Sequence, residues 1–81
     1  MATKVTVLYF AALRDASGRA SEAIDTAAAD LRGLYEEVQA RHQLPFPVRQ
    51  LRVAVDGDFA GWDDALRAGS EVAFIPPVSG G

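Results

Sequence analysis

The segment Glu71-Val72-Ala73-Phe74-Ile75 runs directly into Pro76-Pro77-Val78-Ser79-Gly80-Gly81, and this junction is the most informative part of the sequence. Alternation over residues 71–75 predicts a strand with Val72 and Phe74 on one face and Ala73 and Ile75 on the other. The two prolines end that strand, because proline lacks a backbone N–H and disfavours helical geometry in the residue before it. We therefore expect a folded domain over residues 1–75 and an extended, flexible tail over residues 76–81.

The tail finishes in Gly80 and Gly81, whose lack of a Cβ leaves the terminal carboxylate unhindered. Six extended residues reach roughly 20 Å at about 3.3 Å per residue. Ser/Gly-rich ends are commonly just frayed, and composition alone favours that interpretation. The abrupt start at Pro76-Pro77 instead favours a terminus that is presented to a partner.

Length and composition restrict the fold and the function. A chain of 81 residues forms one small domain with one modest core. Its 49% hydrophobic and 23% charged residues are typical of a globular protein, and the net charge of −3 argues against general binding to nucleic acid or anionic membranes. The absence of cysteine excludes disulfides and zinc–thiolate sites and fits a cytoplasmic location.

The first half of the chain predicts two strands and one long helix. Residues 5–10 are rich in β-branched and aromatic side chains and predict a strand, residues 11–19 a loop, and residues 21–25 a weaker strand. Residues 27–42 predict the helix, with Thr26 as N-cap and a single apolar stripe. The stripe consists of Leu31, Leu34, Tyr35 and Val38.

The second half predicts a further strand over residues 51–55, a turn at Asp56-Gly57 and a short edge segment around Phe59. Residues 63–66 are expected to form one helical turn before the final strand. One helix covers only one face of a sheet, so the opposite face is expected to expose an apolar patch suited to a partner. Its predicted members are Leu8, Phe10, Ala73 and Ile75, together with Phe59.

No constellation predicts a complete active site. His42 is the only histidine, and near a helix end we expect it to be a surface residue. Asp56, Asp58, Asp63 and Asp64 lack calcium-loop spacing and predict an acidic turn region. Trp62 is expected to be a packing residue. Without a nucleophile–base pair or a metal site, the chain is unlike a free-standing enzyme.

The terminal carboxylate has one specific chemical use. Attack on ATP converts a carboxylate into an acyl-adenylate, from which sulfide displaces AMP to leave a thiocarboxylate. The chain end would then carry a sulfur nucleophile. An amine displacing AMP would instead attach the chain to another protein, as ubiquitin is attached.

Three motifs point to a family. They are Val7-Leu8-Tyr9-Phe10-Ala11-x-Leu13-Arg14, Val53-Ala54-Val55-Asp56, and Leu66-x-x-Gly69-Ser70 continuing through residues 71–81. Together they resemble the small, sulfur-carrying subunits of molybdopterin synthase, in the ubiquitin-like sulfur-carrier family that also contains the thiamine-pathway carriers. Asp56 stands where the family often has asparagine and Ser70 where aspartate is common, both at turn positions.

The resemblance implies an α+β, ubiquitin-like β-grasp fold, with a mixed sheet of four to five strands and one long helix on one face. It implies that Gly81 becomes the acyl-adenylate and then the thiocarboxylate, and that Gly80 gives access to a narrow channel. The partner-binding residues are expected to be Phe10, Phe59, Phe74, Ile75, Pro76, Pro77, Val78 and Ser79.

The implied partners are a large catalytic subunit in a heterotetramer, an adenylyltransferase of the ubiquitin-activating type and a sulfurtransferase as sulfur donor. The resemblance also implies that no cofactor is bound permanently and that ATP is consumed by the adenylating partner. The implied reaction inserts two sulfurs into cyclic pyranopterin monophosphate during molybdenum cofactor biosynthesis. A thiamine-type sulfur carrier and a protein modifier conjugated through Gly81 remain the alternatives.

Overall fold

The computed structural model describes residues 2–76 of the chain. Over this range five strands and two α-helices form, and neither helix is long and apolar enough to cross a membrane. The elements in chain order are β1 (Thr3–Tyr9), α1 (Ala11–Ser17), β2 (Ser21–Thr26), α2 (Leu31–His42), a 3₁₀ turn (Val48–Gln50), β3 (Arg52–Val55), β4 (Asp58–Ala60) and β5 (Glu71–Ile75).

The strands form one mixed sheet in the order β2-β1-β5-β3-β4. β5 lies in the middle, parallel to β1 and antiparallel to β3, while the β1–β2 and β3–β4 pairs are antiparallel. The strand that leads into the tail is therefore held by a hydrogen-bonded neighbour on each side.

The core lies between the sheet and α2. Val5, Val7 and Tyr9 of β1 are buried on the helix side, as predicted from their alternation. The four side chains of the predicted helical stripe are likewise buried. This sheet, with one long helix across one face, is the predicted ubiquitin-like β-grasp fold.

Helix α2 begins four residues later than predicted. Its N-cap is Asp30, whose Oδ1 accepts a hydrogen bond from the Gly33 N–H at 2.8 Å. Thr26 instead ends β2, and its hydroxyl accepts from the Ala28 N–H at 3.0 Å. A Cβ added at Gly33 would lie 3.1 Å from the Ala28 Cβ, so this glycine lets the preceding loop approach the helix.

The segment predicted as a loop after β1 is mostly helical. α1 ends at Ser17 and is capped by Gly18, which has φ 78° and donates its N–H to the Arg14 carbonyl. Leu13 is fully buried and anchors this short helix to the core. This helix was not predicted.

The Asp56-Gly57 turn forms as predicted and joins β3 to β4. Both residues have positive φ, 51° and 92°, and Val55 pairs directly with Asp58. These dihedral signs define a two-residue hairpin turn whose twist matches that of the strands it joins.

Residues 63–66 do not form the predicted helical turn. Ala65 makes a β-bridge with Asp30, and the Trp62 and Asp64 carbonyls accept from the N–H groups of Arg32 and Leu31. Those N–H groups belong to the first turn of α2 and have no partner within the helix. Residues 62–64 instead form a turn, closed by the Asp64 N–H donating to the Gly61 carbonyl, and this turn supplies the two carbonyls to the helix.

Candidate functional site

The sheet face opposite α2 carries an apolar row. Leu8 pairs with Ala73, Ala73 with Ala54 and Ala54 with Phe59, so the row crosses four neighbouring strands. Paired residues point to the same face of a sheet, which places these four side chains side by side. Phe59 is 70% exposed, Leu8 and Ala73 are half-buried, and Ala54 is buried.

Phe10 and Ile75 extend this apolar surface to the end of the sheet where the tail begins. Tyr9 pairs with Phe74 in parallel register, so the next residues at this end of the sheet are Phe10, directly after β1, and Ile75, the last residue of β5. Phe10 is 47% exposed and Ile75 half-buried. The predicted exposure of Phe10, Phe59 and Ile75 is therefore confirmed, whereas their contact with a partner remains a prediction.

Phe74 does not belong to this surface, and its place among the partner-binding residues was wrong. It is fully buried on the helix side, 5.0 Å from the Tyr35 ring centroid and stacked on Trp62 at 5.9 Å. In a strand Phe74 and Ile75 must face opposite sides, so only one of them can meet a partner. Trp62 is a packing residue, as predicted.

The tail itself is described only at Pro76, which is half-buried directly after β5. Pro77, Val78, Ser79, Gly80 and Gly81 lie outside the described residues. Their predicted roles, including the chemistry of Gly81, remain predictions. What the sheet fixes is where the tail starts, between the end of β1 and the start of β3.

Three of the four acidic residues in the β3–β4 region have structural partners. Asp56 Oδ1 accepts from the Glu71 N–H at 2.9 Å, and Asp64 Oδ2 accepts from the Gly61 N–H at 2.9 Å. Asp63 pairs with Arg32 at 3.1 Å. Across residues 2–76 no group of three or more His, Cys, Asp or Glu side chains is arranged to hold a metal ion.

A polar cluster around Glu22 was not predicted. Oε1 accepts hydrogen bonds from the Tyr9 hydroxyl at 2.9 Å and pairs with His42 Nε2 at 2.8 Å. Oε2 pairs with Arg41 at 3.2 Å and Arg19 at 3.4 Å. The cluster joins the start of β2 to the end of β1 and the last turn of α2.

The environment of Glu22 favours its charged form. Burial raises the pKa of this carboxyl, but the hydrogen bonds from His42, Tyr9 and Arg41 outweigh burial and lower the pKa overall. Burial and the bond to Glu22 raise the pKa of Tyr9, which keeps its hydroxyl a donor. His42 was expected to be a surface residue, but its side chain is only 15% exposed. Its partner Glu22 lies 20 residues away in sequence, where no local pattern could indicate it.

Comparisons with known proteins add to this geometry. The model of the ThiS family matches residues 7–81. The molybdopterin synthase sulfur carrier subunit of Homo sapiens is 34% identical, covering 96% of this chain and 94% of its own length. The protein of the same name from Mycobacterium tuberculosis (strain ATCC 25618 / H37Rv) is 35% identical, covering 96% and 98%. The crystal structure of SAMP1 from Haloferax volcanii superposes with a TM-score of 0.80 at 25% identity, covering 96% of this chain and 99% of that one.

Proposed function

The chain belongs to the ThiS family, and we propose that it is the sulfur carrier subunit of a molybdopterin synthase. The observation that carries this proposal is the identity of 34% and 35%, over nearly the full length, to two proteins of that name. It favours this role over a thiamine-type carrier or a protein modifier, because both of these relatives carry the one name, whereas the small archaeal modifier protein SAMP1 is 25% identical.

The proposed chemistry takes place at Gly81. A carboxylate oxygen attacks the α-phosphorus of ATP on an adenylating partner, releasing pyrophosphate and forming an acyl-adenylate. Sulfide then attacks the carbonyl carbon and displaces AMP, which leaves a thiocarboxylate. Activation is required because a free carboxylate resists nucleophiles, whereas the mixed anhydride has a good leaving group.

Sulfur transfer would follow in the large catalytic subunit. The thiocarboxylate sulfur attacks a carbon of cyclic pyranopterin monophosphate and forms a carbon–sulfur bond while the carbon–oxygen bond at that carbon breaks. The oxygen leaves as water or as the phosphate oxygen, and the sulfur then joins the pterin to the Gly81 carbonyl as a thioester. Water hydrolyses that thioester, so the sulfur stays on the pterin and the carboxylate of Gly81 is restored. Two such transfers supply the two sulfurs of the dithiolene.

The fold supports this proposal through the position of β5. A strand held on both sides gives the tail a fixed starting point at the end of the sheet. The apolar row lies with Phe10 and Ile75 on one face of the sheet, and this face adjoins the start of the tail. Such an arrangement is expected of a domain that docks on a partner while its tail enters that partner.

The test is a reconstitution of the sulfur-loaded chain. The protein is incubated with the adenylating enzyme of the same organism, ATP and sulfide, and its intact mass is measured. The expected product is heavier by the exchange of one oxygen for one sulfur and disappears when ATP is omitted. Gel ladders of conjugates without that mass change would instead indicate a protein modifier.

A further inference from the structure

Two clefts of opposite charge flank Phe59 on the outer strand β4. The basic cleft is bordered by Arg49, Gln50, Arg52 and Trp62. The acidic cleft is bordered by Asp56, Asp58 and Asp64, together with Arg67. Phe59 borders both clefts and is also the outermost member of the apolar row.

The basic cleft holds two guanidinium groups that are not neutralised within residues 2–76. Arg19 and Arg41 pair with Glu22, and Arg32 pairs with Asp63. Arg49 and Arg52 make no ion pair in this part of the chain, and the Arg52 guanidinium lies 5.9 Å from the Phe59 ring centroid. Two exposed, uncompensated guanidiniums are suited to carboxylates, which they bind with paired N–H donors.

The acidic cleft has the opposite charge to the basic cleft and offers a carboxylate to a partner. Asp56 and Asp64 use their carboxylates to accept backbone N–H groups, whereas Asp58 has no side-chain partner among the described residues. Arg67 also lines this cleft, so three carboxylates face one guanidinium and the local charge is negative. Asp58 is therefore the carboxylate best placed to meet a cation from outside.

The surroundings favour a protein over a small aromatic ligand. The Trp62 ring is stacked on Phe74, and the Arg52 guanidinium lies over one face of the Phe59 ring. Both clefts share Phe59, the outermost member of the apolar row, and a protein surface can cover the row and both clefts together, whereas a small molecule cannot.

We propose that the large catalytic subunit holds Phe59 in an apolar pocket with a carboxylate on the Arg49/Arg52 side and a lysine or arginine on the Asp58 side. This inference rests on the proposed function. Opposite charges on the two sides of one anchor allow a single docking orientation, since a reversed partner would bring like charges together. That orientation fixes where the end of β5, and therefore the start of the tail, lies relative to the partner.

The experiment measures association of the full chain with the large subunit of the same organism at increasing salt concentration. The variants are Arg52→Glu, Arg49→Glu and Asp58→Lys. The control is Lys4→Glu, which makes the same charge change as the arginine variants but lies in β1, three strands away from β4 in the sheet. Melting curves establish whether each variant is folded. Arg52 lies in β3, whereas Arg49 lies in the 3₁₀ turn outside the sheet, so Arg49→Glu still tests the basic cleft if Arg52→Glu does not fold.

Each of the three test variants is expected to bind about tenfold or more weakly at low salt, mainly through slower association. The difference from wild type should shrink as salt rises, because screening removes the steering charge. Lys4→Glu should bind like wild type. Wild-type affinity of the folded Arg49→Glu and Asp58→Lys proteins at low salt would overturn the inference while leaving the sulfur carrier proposal intact. Failure of the wild-type chain to bind the large subunit at all would overturn both.

Discussion

Ile75, the last residue of β5, lies directly opposite Arg52, the first residue of β3. This pairing places the start of the tail at one end of the sheet, with Phe10 at the same level on the other side. Ile75 and Arg52 face away from α2, whereas their neighbours Phe74 and Val53 point into the core. Substitutions on the two faces should therefore have different effects.

Phe10→Ala and Ile75→Ala should weaken binding to the large subunit more than they weaken the fold. Fully burying such a side chain contributes roughly 1.5–3 kcal/mol, and about 1.4 kcal/mol corresponds to a tenfold change in affinity. We expect dissociation constants at least about tenfold higher, measured by titration calorimetry, with a small shift in the urea midpoint.

Phe74→Ala is the matched control for the opposite face. It should lower the free energy of unfolding by about 3–5 kcal/mol, because it removes a fully buried ring that contacts Tyr35 and Trp62. If Phe10→Ala destabilised the fold as much as Phe74→Ala and left binding unchanged, the assignment of the open face to the partner would be incorrect.

Glu22→Gln should lower stability in a pH-dependent manner. The pKa of Glu22 is lowered in the folded state from its ordinary 4.5, so its ionised form stabilises the fold above that pH. This contribution is lost as pH falls through the folded-state pKa. Near neutral pH we expect a loss of about 1–3 kcal/mol from charge-assisted hydrogen bonds, and a gap from wild type that closes in acid.

Urea unfolding at a series of pH values measures this gap. Glu36→Gln is a suitable control, because Glu36 is exposed on α2 and forms no ion pair within the described part of the chain. A Glu22→Gln curve parallel to wild type down to the most acidic pH would contradict the stabilising role of the carboxylate.

Gly57→Ala should destabilise the β3–β4 hairpin. Gly57 has φ 92°, where an L side chain is strained, and the cost is expected to be about 1–2 kcal/mol. Gly61→Ala provides the comparison, since its added Cβ would meet Asp64 Oδ1 at an ordinary 3.6 Å. Thermal or urea unfolding should separate the two variants, and equal stability would refute the positive-φ requirement at Gly57.

Deletion of Gly81 should abolish ATP-dependent thiocarboxylation without unfolding the protein. The shortened chain would present its carboxylate roughly 3.5 Å further back. Misplacement by about 1 Å can already reduce the rate of a positioned attack about a hundredfold. Intact mass after reaction and a melting curve are the two measurements.

Gly80→Val tests whether the tail can enter the partner's narrow channel, rather than how far the terminal carboxylate extends. Its carboxylate keeps the correct depth, but the branched Cβ should obstruct a narrow channel, so adenylation should slow while folding and partner binding persist. Addition of one residue after Gly81 should fail as the deletion does. Complete thiocarboxylation of the Gly81 deletion would reject the sulfur carrier proposal.

Most of the sheet was predictable because burial imposes a period of two on its strands. Val5, Val7 and Tyr9 alternate with more exposed residues, and the stripe of α2 follows the helical period. The apolar face was predictable for the same reason, since one long helix cannot cover both sides of a sheet. The same alternation predicts that Phe74 and Ile75 lie on opposite faces, so naming both as partner-binding residues contradicted the pattern.

The remaining differences come from short or non-local effects. α1 has one fully buried side chain, Leu13, so no apolar period exists to detect, although Gly18 is a typical helix-ending residue. Thr26 and Asp30 are both good N-caps. Asp30 is the one used, because it forms a bridge with Ala65 and residues 27–29 therefore stay outside the helix.

The central place of β5 also links the fold to the synthesis of the chain. β5 is the last of the five strands to leave the ribosome, yet β1 and β3 are joined only through it. Before it arrives, the sheet consists of two separate strand pairs, and isolated pairs are at best marginally stable in water. A polypeptide cut short before Glu71 would stay unfolded and be removed by proteases, so the cell would retain only molecules that carry the strand leading to the tail.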